Sequence, residues 1–274
     1  MRTWTLELTY RSGQLDGDII RAPRGTQIRE MGIELLGEHT TEHGNHDNEL
    51  KPRALRLELP GPGHPGLLEV TWLSDHFPPL RVPPPSGRLN WGQGTSVVDF
   101  HQRQAPTAVT VAALEHYFTD NTDTENWSAC RLRTRSGVLF KRDHTDYVSA
   151  NHLLNAIANR WELVTTWTPP GTAKLALAQP VPANVMKELL STCAIEVRRC
   201  GPSNPHQIAT KLELHTPAIR ETPLEFDLDL RCASTTDTTL TWFRTLCAFA
   251  EIASIGRYTP TGLGSVTSTP ISRA

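Results

Sequence analysis

Long apolar runs are absent from this 274-residue chain. No run approaches the roughly 20 residues that a membrane-spanning helix requires, and we expect no membrane partner. The first eight residues alternate between polar and apolar side chains. That alternation predicts a β-strand and not a targeting segment.

The chain also lacks an excess of positive charge. Its 27 Lys and Arg residues stand against 29 Asp and Glu, for a net charge of −2 at pH 7. This balance excludes a protein coated in positive charge for non-specific nucleic-acid binding. A local basic groove stays open, because phosphate contacts need only a few well-placed Lys and Arg side chains. Hydrophobic residues make up 38% of the chain, enough for a folded core.

Cysteine pairs of the CxxC type are missing. An odd number of cysteines without a signal peptide favours the reducing cytoplasm, and we expect a cytoplasmic protein. Two of the cysteines, Cys232 and Cys247, lie in apolar patterns and are predicted as small core residues. Walker loops, GxSxG elbows and paired acidic metal sites are absent too. We therefore predict no cofactor. The five cysteines are Cys130, Cys193, Cys200, Cys232 and Cys247.

Hydrophobic patterning predicts four strands and one helix in residues 1–122. A helix opens near Pro23 and carries Met31, Leu35 and Leu36 on one face. Residues 75–94 hold five prolines and are a poor helix candidate. The strands are predicted at residues 2–10, 53–59, 67–73 and 108–118.

Residues 123–274 begin again with a strand. A helix at 149–161 has Ser149 as its predicted N-cap. Each half then follows the order βαββαβ, the first with a damaged second helix. The predicted fold class is α+β, with tandem ferredoxin-like (RRM-like) domains at 1–122 and 123–274 and a glycine-rich loop near the C-terminus. The other elements predicted here are strands at 128–134, 208–214, 224–232 and 265–269 and an apolar helix at 239–255.

The glycine-rich loop follows the last helix and reads Gly256-Arg-Tyr-Thr-Pro-Thr-Gly262-Leu-Gly264. Glycine lets a backbone come close to a ligand or adopt a positive φ. An arginine in such a loop can meet a phosphate. We therefore expect the loop to lie against a polyanion or against another backbone.

Three histidines lie close together in a polar stretch, at His39, His43 and His46. His39 and His43 have the i, i+4 spacing of a helical zinc site. The alternative is a polar surface loop that is rich in histidine. No second cluster of ligands completes a metal site, and we predict no metal.

Three stretches of the chain carry a family resemblance. They are the loop residues Gly256, Arg257, Gly262 and Gly264, with Ser254 in place of a first glycine; the stretch 131–140 and the following helix with Arg160-Trp161; and His46 followed by Lys51-Pro52 before a strand. Together these stretches resemble the CRISPR-associated repeat-specific endoribonucleases of the RAMP superfamily. The resemblance spans most of the chain.

The resemblance implies a metal-independent endoribonuclease that cuts CRISPR repeat precursor RNA into guide RNAs. The 2′-OH would attack the adjacent phosphorus, leaving a 2′,3′-cyclic phosphate and a 5′-OH. This reaction needs a base, an acid and a cation for the phosphorane charge. Histidine suits the first two roles because its pKa lies near neutrality. The match implies His46 as acid or base and Lys51 as the cation, with His43 as the second candidate.

A basic strand precedes the matched helix. Arg131, Arg133 and Arg135 alternate and so share one face. Like charges at this spacing repel, and a phosphate backbone would relieve the repulsion; a solvated strand face is the alternative. The residues predicted to contact RNA are Arg131, Arg133, Lys141, Arg142, Gly256, Arg257, Gly262 and Gly264.

Two other functions stay open. One is a non-catalytic RNA-binding RAMP subunit that holds guide RNA inside an effector complex, with other CRISPR-associated subunits as its partners. The other is a ferredoxin-like protein without an RNA ligand, which the net charge of −2 favours. A homodimer is compatible with each of these functions.

Overall fold

The computed structural model describes residues 1–10, 25–37, 53–58, 65–74, 79–90, 97–120, 127–140, 148–166, 179–202, 223–256 and 264–271. Within them the chain forms two antiparallel sheets and their helices. The elements are β1 (Arg2–Tyr10), α1 (Gly25–Leu36), β2 (Arg53–Glu58), β3 (Gly66–Trp72), β4 (Ser86–Asn90), β5 (Val97–Gln102), β6 (Thr107–Ala108), α2 (Val111–Asp120), β7 (Ala129–Thr134), α3 (Ala150–Thr166), α4 (Ala183–Thr192), β8 (Cys193–Pro202), β9 (Leu224–Cys232), α5 (Asp237–Ala253) and β10 (Val266–Pro270).

The first sheet has the strand order β2-β3-β1-β5-β4, and the short β6 pairs with the start of β1. Strands β2, β3, β1 and β5 reproduce the ferredoxin-like order, with β5 as the fourth strand. In the described residues, β4 stands between β3 and β5 in chain order, where a ferredoxin-like unit has its second helix, and it adds a strand at the edge of the sheet. Proline removes a helical hydrogen bond, so the proline-rich stretch before β4 favours an extended chain over a helix.

The second sheet has the order β10-β7-β9-β8, which is the complete ferredoxin-like arrangement. Helices α3 and α4 connect β7 to β8, and α5 connects β9 to β10. Trp161 of α3 is fully buried among these helices. Its ring meets Trp242 at 5.6 Å and Phe249 at 5.1 Å, both edge to face. Both tryptophans are therefore packing residues.

Ser149 caps α3 as predicted, because its hydroxyl oxygen accepts a hydrogen bond from the His152 N–H at 3.1 Å. The predicted burial of Cys232 and Cys247 is also confirmed: 4% and 0% of their surfaces are exposed. None of the helices in the described part of the chain is long and apolar enough to cross a membrane.

The predicted strand at 108–118 is wrong, because most of this stretch belongs to α2. Val111, Leu114 and Phe118 are buried at spacings of three and four residues, which is the period of a helix. The hydroxyl of Thr110 accepts a hydrogen bond from the Ala113 N–H at 2.9 Å and caps the first turn. The fourth strand of the first unit is β5 instead.

In the second half, α4 and β8 lie where the sequence interpretation places no element, as β4 and β5 do in the first half. β8 is hard to find by alternation because its register shifts between Val197 and Arg199, where a bulge interrupts the pairing with β9. The strand predicted at 208–214 lies outside the described residues.

The two halves pack against each other through α2 and α5. Phe118 meets Trp127 at 6.0 Å, and Trp127 meets Phe243 of α5 at 5.8 Å. Met1 and Leu73, from the first half, belong to the same apolar core as α5. The predicted boundary at 122 falls within residues 121–126, which lie outside the described residues.

Candidate nucleic-acid interface

The ends of the glycine-rich loop are fixed by the protein's own backbone. The Ile255 N–H donates to the Gly264 carbonyl oxygen at 2.7 Å, which brings the two ends together. Gly256 and Gly264 have φ angles of +85° and +80°. A Cβ at Gly256 would collide with the Leu139 carbonyl oxygen, and one at Gly264 would collide with the Ile255 carbonyl oxygen. These two glycines therefore permit a positive φ and a close approach of backbone to backbone.

Two further hydrogen bonds hold the loop base onto the rest of the second half. The Gly264 N–H donates to the Gly137 carbonyl oxygen at 2.9 Å. The Arg160 guanidinium, on α3, donates to the Gly256 carbonyl oxygen at 2.8 Å. Arg160 belongs to the matched Arg-Trp pair, so the arginine of this pair stabilises the base of the loop. Residues 257–263, with Arg257 and Gly262, lie outside the described residues.

Ser254 occupies the position where the family resemblance has a glycine, and its backbone behaves as glycine would. Its φ is 62° and its ψ is 166°. This region of backbone space is essentially restricted to glycine. Ser254 is 1% exposed, and among the described residues its hydroxyl has no hydrogen-bond partner. Ser254 thus adopts a glycine-type backbone conformation, with strain and an unsatisfied hydroxyl at this one residue.

Arg131 lies on the face of the second sheet that points away from the core helices, and a carboxylate neutralises it. Its Nε and Nη2 atoms donate to the two carboxylate oxygens of Asp227 at 2.7 and 2.6 Å. These hydrogen bonds hold the pKa of Asp227 below its usual range. The repulsion expected along β7 is therefore relieved at Arg131 by a neighbouring strand, without a phosphate.

A second arginine–aspartate pair lies beside the first. Arg198 of β8 donates to both oxygens of Asp229, from Nε at 3.1 Å and from Nη2 at 2.7 Å. Arg231 reaches the same carboxylate at 3.4 Å. The Asp229 side chain is fully buried under these arginines. Hydrogen bonds from Arg198 lower the pKa of Asp229, so it stays ionised at neutral pH.

The outer face of the second sheet is therefore a charged network and not a purely basic surface. The sequence contains a pattern that could have predicted these acidic residues on the outer face. Glu225, Asp227 and Asp229 alternate along the strand predicted at 224–232. Because β9 lies between β7 and β8, alternating acids on this central strand meet the arginines on both sides.

Arg133 differs from Arg131. It is exposed, and among the described residues no carboxylate lies within ion-pair distance of it. Its register partners are Thr267 of β10 and Asp227 of β9. Of the two predicted RNA-contacting arginines on β7, Arg133 is the one whose guanidinium is available to an external anion.

Arg135, the third arginine of the alternation, connects the two halves of the molecule. Its Nη1 atom lies 3.5 Å from the Glu69 carboxylate on β3, in the first sheet. Its Nη2 atom lies 3.1 Å from the Glu251 carboxylate on α5. The Arg135 N–H donates to the Ser265 carbonyl oxygen at 2.8 Å, beside the loop base. Its position therefore favours a structural role.

The remaining candidate residues lie outside the described part of the chain: His43, His46, Lys51, Lys141 and Arg142. The first three belong to the segment that joins α1 to β2, and the last two to the segment that joins β7 to α3. In the described ranges, no group of three or more His, Cys, Asp or Glu side chains is placed to hold a metal ion.

No family model matches the chain, and a search of curated proteins found no match either. Solved structures do match it over almost its whole length. A Cas6 protein in a product complex is 16% identical, with a TM-score of 0.56 over 98% of this chain and 99% of the other. The chain has the Cas6 fold.

Two more Cas6 structures agree. One, also a product complex, is 15% identical with a TM-score of 0.58, covering 97% of this chain and 99% of the other. The other, from Thermus thermophilus, is 12% identical with a TM-score of 0.55, covering 97% of both chains. Because the match spans both halves, the predicted tandem ferredoxin-like architecture is confirmed at the level of the Cas6 fold.

Proposed function

We propose that this protein is a CRISPR endoribonuclease that cuts repeat precursor RNA into guide RNAs. The observation that carries the proposal is the match of both halves, in one continuous chain, to Cas6 structures solved with a product. Another Cas6 structure in the same set was solved with a substrate mimic. The built base of the glycine-rich loop adds support, because the loop ends are held by hydrogen bonds from Ile255 and Gly264.

The RNA backbone is bound by the cations around the loop. Arg133 contributes from the outer face of β7, Lys141 and Arg142 from the segment that follows Phe140 in the chain, and Arg257 from the glycine-rich loop. The backbone from Gly256 to Gly264, which includes Gly262, lets the RNA approach closely. Arg131 contributes less, because its guanidinium already makes two hydrogen bonds to Asp227.

Cleavage proceeds by attack of the 2′-OH on the adjacent phosphorus, without a metal. His46 acts as general acid or base, with His43 as the second candidate, because an imidazole exchanges protons near neutral pH. Lys51 stabilises the charge that develops on the phosphorane. One of the matching Cas6 structures is a histidine-to-alanine variant, which fits the choice of histidine as a residue to test.

Cleavage of radiolabelled repeat RNA in EDTA tests the proposal, with wild type beside H46A, H43A and the double variant. We expect the wild type to cut and the double variant to bind RNA without cutting it. His152, on α3, supplies a control variant, H152A, which should cut at the wild-type rate. Equal cleavage by the double variant would contradict the assignment of the histidines. RNA binding without cleavage by the wild type would identify a non-catalytic subunit instead.

A further inference from the structure

Two cysteines lie directly opposite each other on neighbouring strands of the second sheet. Cys193 of β8 is the register partner of Cys232 of β9. The Ala233 N–H donates to the Thr192 carbonyl oxygen at 3.1 Å. That bond flanks the cysteines, so they form a non-hydrogen-bonded pair, in which the two Cα atoms are about 4.5 Å apart. A disulfide spans Cα separations of about 4.4 to 6.8 Å.

The two thiols already interact through a hydrogen bond, and one of the two cysteines is accessible to solvent. Cys193 is partly exposed, whereas 4% of the Cys232 surface is exposed. A hydrogen bond from the Cys193 thiol lowers the pKa of Cys232, and the Ser234 backbone adds to this effect. The same hydrogen bond, followed by burial, raises the pKa of Cys193. The thiolate, which is the reactive form of cysteine, is therefore held on Cys232.

The other cysteines lack this combination. Cys130 and Cys247 also contact each other, but Cys247 is fully buried within α5, and burial raises the pKa of its thiol. Cys200, on the same strand as Cys193, has Phe226 as its register partner. Only the Cys193–Cys232 pair among these five combines cross-strand register with a partly exposed sulfur.

We propose that Cys193 and Cys232 are a redox modification site, which a disulfide oxidant such as oxidised glutathione converts to a cross-strand disulfide. Cys193, whose side chain is the more exposed of the two, passes its proton along the hydrogen bond to the Cys232 thiolate and attacks the oxidant's S–S bond, and one glutathione thiolate leaves and takes up a proton from solvent. Cys232 then loses that proton to solvent, its thiolate attacks the Cys193 sulfur, and the second glutathione leaves as a thiolate and is protonated. The two cysteines lose two electrons, and the oxidant is reduced to two thiols.

The disulfide would join β8 to β9 at the point where α4 ends at Thr192 and β8 begins. Closing the chain between residues 193 and 232 restricts the unfolded state, so the oxidised protein should resist unfolding more than the reduced protein. This proposal is independent of RNA cleavage, since neither cysteine is among the proposed catalytic or RNA-binding residues.

Non-reducing peptide mapping of the folded protein after treatment with oxidised glutathione tests the proposal. We expect a peptide pair linked through Cys193 and Cys232, lighter than its parts by two hydrogens. We also expect a melting temperature several degrees higher that returns to the reduced value with dithiothreitol. C193S and C232S should each abolish both effects, whereas C200S should behave as wild type.

Two results would overturn the proposal. One is that Cys193 and Cys232 stay reduced, or carry only glutathione, under conditions that modify Cys200. The other is that the linked peptide forms only after unfolding in urea. C193S and C232S are tested separately. If one of them does not fold, the other still tests whether the disulfide forms between these two cysteines.

Discussion

Ser254 carries a backbone conformation that ordinarily belongs to glycine, at the C-terminal end of the largely buried helix α5. The strain of such a residue costs about 1 to 3 kcal/mol. Replacing it with glycine should remove that strain, at the expense of extra freedom in the unfolded chain. We predict that S254G raises the free energy of unfolding by about 1 kcal/mol, measured by urea denaturation. S254A keeps the strained φ and should raise the free energy of unfolding by less. If both variants raised it equally, the buried hydroxyl and not the backbone strain would be the source of the destabilisation.

Gly256 is required for a different reason, because a side chain there would meet the Leu139 backbone. We predict that G256A lowers the free energy of unfolding by about 2 kcal/mol, since strain and collision both act on it. Gly201 supplies the matched control, because nothing lies within 4 Å of the Cβ that alanine would add there. Equal effects of G256A and G201A in urea denaturation would argue against the close approach described at the loop base.

The strands β7, β9 and β8 form one electrostatic unit through two arginine–aspartate pairs. Both aspartates have a lowered pKa in the folded protein. Their contribution to stability is therefore complete above the unfolded pKa of about 3.9 and is lost as the pH falls through the folded values. We predict a loss of stability below about pH 4 that is less steep in D229N, measured by urea denaturation at a series of pH values.

A surface pair on the other sheet is the control for this pH dependence. Arg88 and Asp99 lie 3.4 Å apart, with 59% and 40% of their side chains exposed. Water screens such a pair strongly. We therefore expect D99N to lose stability below about pH 4 as steeply as the wild type does. If D229N and D99N gave the same profile as wild type, the buried carboxylate would not be a source of acid sensitivity.

Elements with uninterrupted patterns were predictable from sequence, and interrupted ones were not. β9 has five inward apolar residues in strict alternation, and α5 ends in a nearly continuous apolar run over residues 246–253; the sequence predicts both. The bulge in β8 breaks its alternation, and that strand was missed. At the candidate site, alternation correctly places Arg131 and Arg133 on one face. It does not predict the ion pair of Arg131, because that pair depends on the order of the strands in the sheet, which brings Asp227 beside Arg131.

At the scale of the whole molecule, the two halves share an apolar core around α2 and α5, and Arg135 adds ion pairs to Glu69 and Glu251. A chain built this way can present residues from both halves to one RNA. Under the proposed function, the segment between α1 and β2 supplies the reacting groups, and the second half supplies the loop and Arg133.

Arg133 and Arg131 should therefore differ in RNA binding. We predict that R133Q weakens the affinity for repeat RNA and lowers the slope of log affinity against log salt by about one, because one phosphate contact is lost. R131Q should change RNA affinity less and protein stability more, since it breaks the pair with Asp227. Filter binding across a salt series and urea denaturation measure the two effects. A larger loss of RNA affinity in R131Q would contradict this ranking.

The most direct test of the central claim, that the protein cuts RNA by 2′-OH attack, uses one changed atom in the substrate. A repeat RNA with a single 2′-deoxynucleotide at the cut site is compared with the unmodified RNA, both in EDTA. The account predicts that the unmodified RNA is cut to a 2′,3′-cyclic phosphate and a 5′-OH, while the deoxy RNA is bound with equal affinity and stays intact. Cleavage of the deoxy RNA, or loss of cleavage of the unmodified RNA in EDTA, would contradict it.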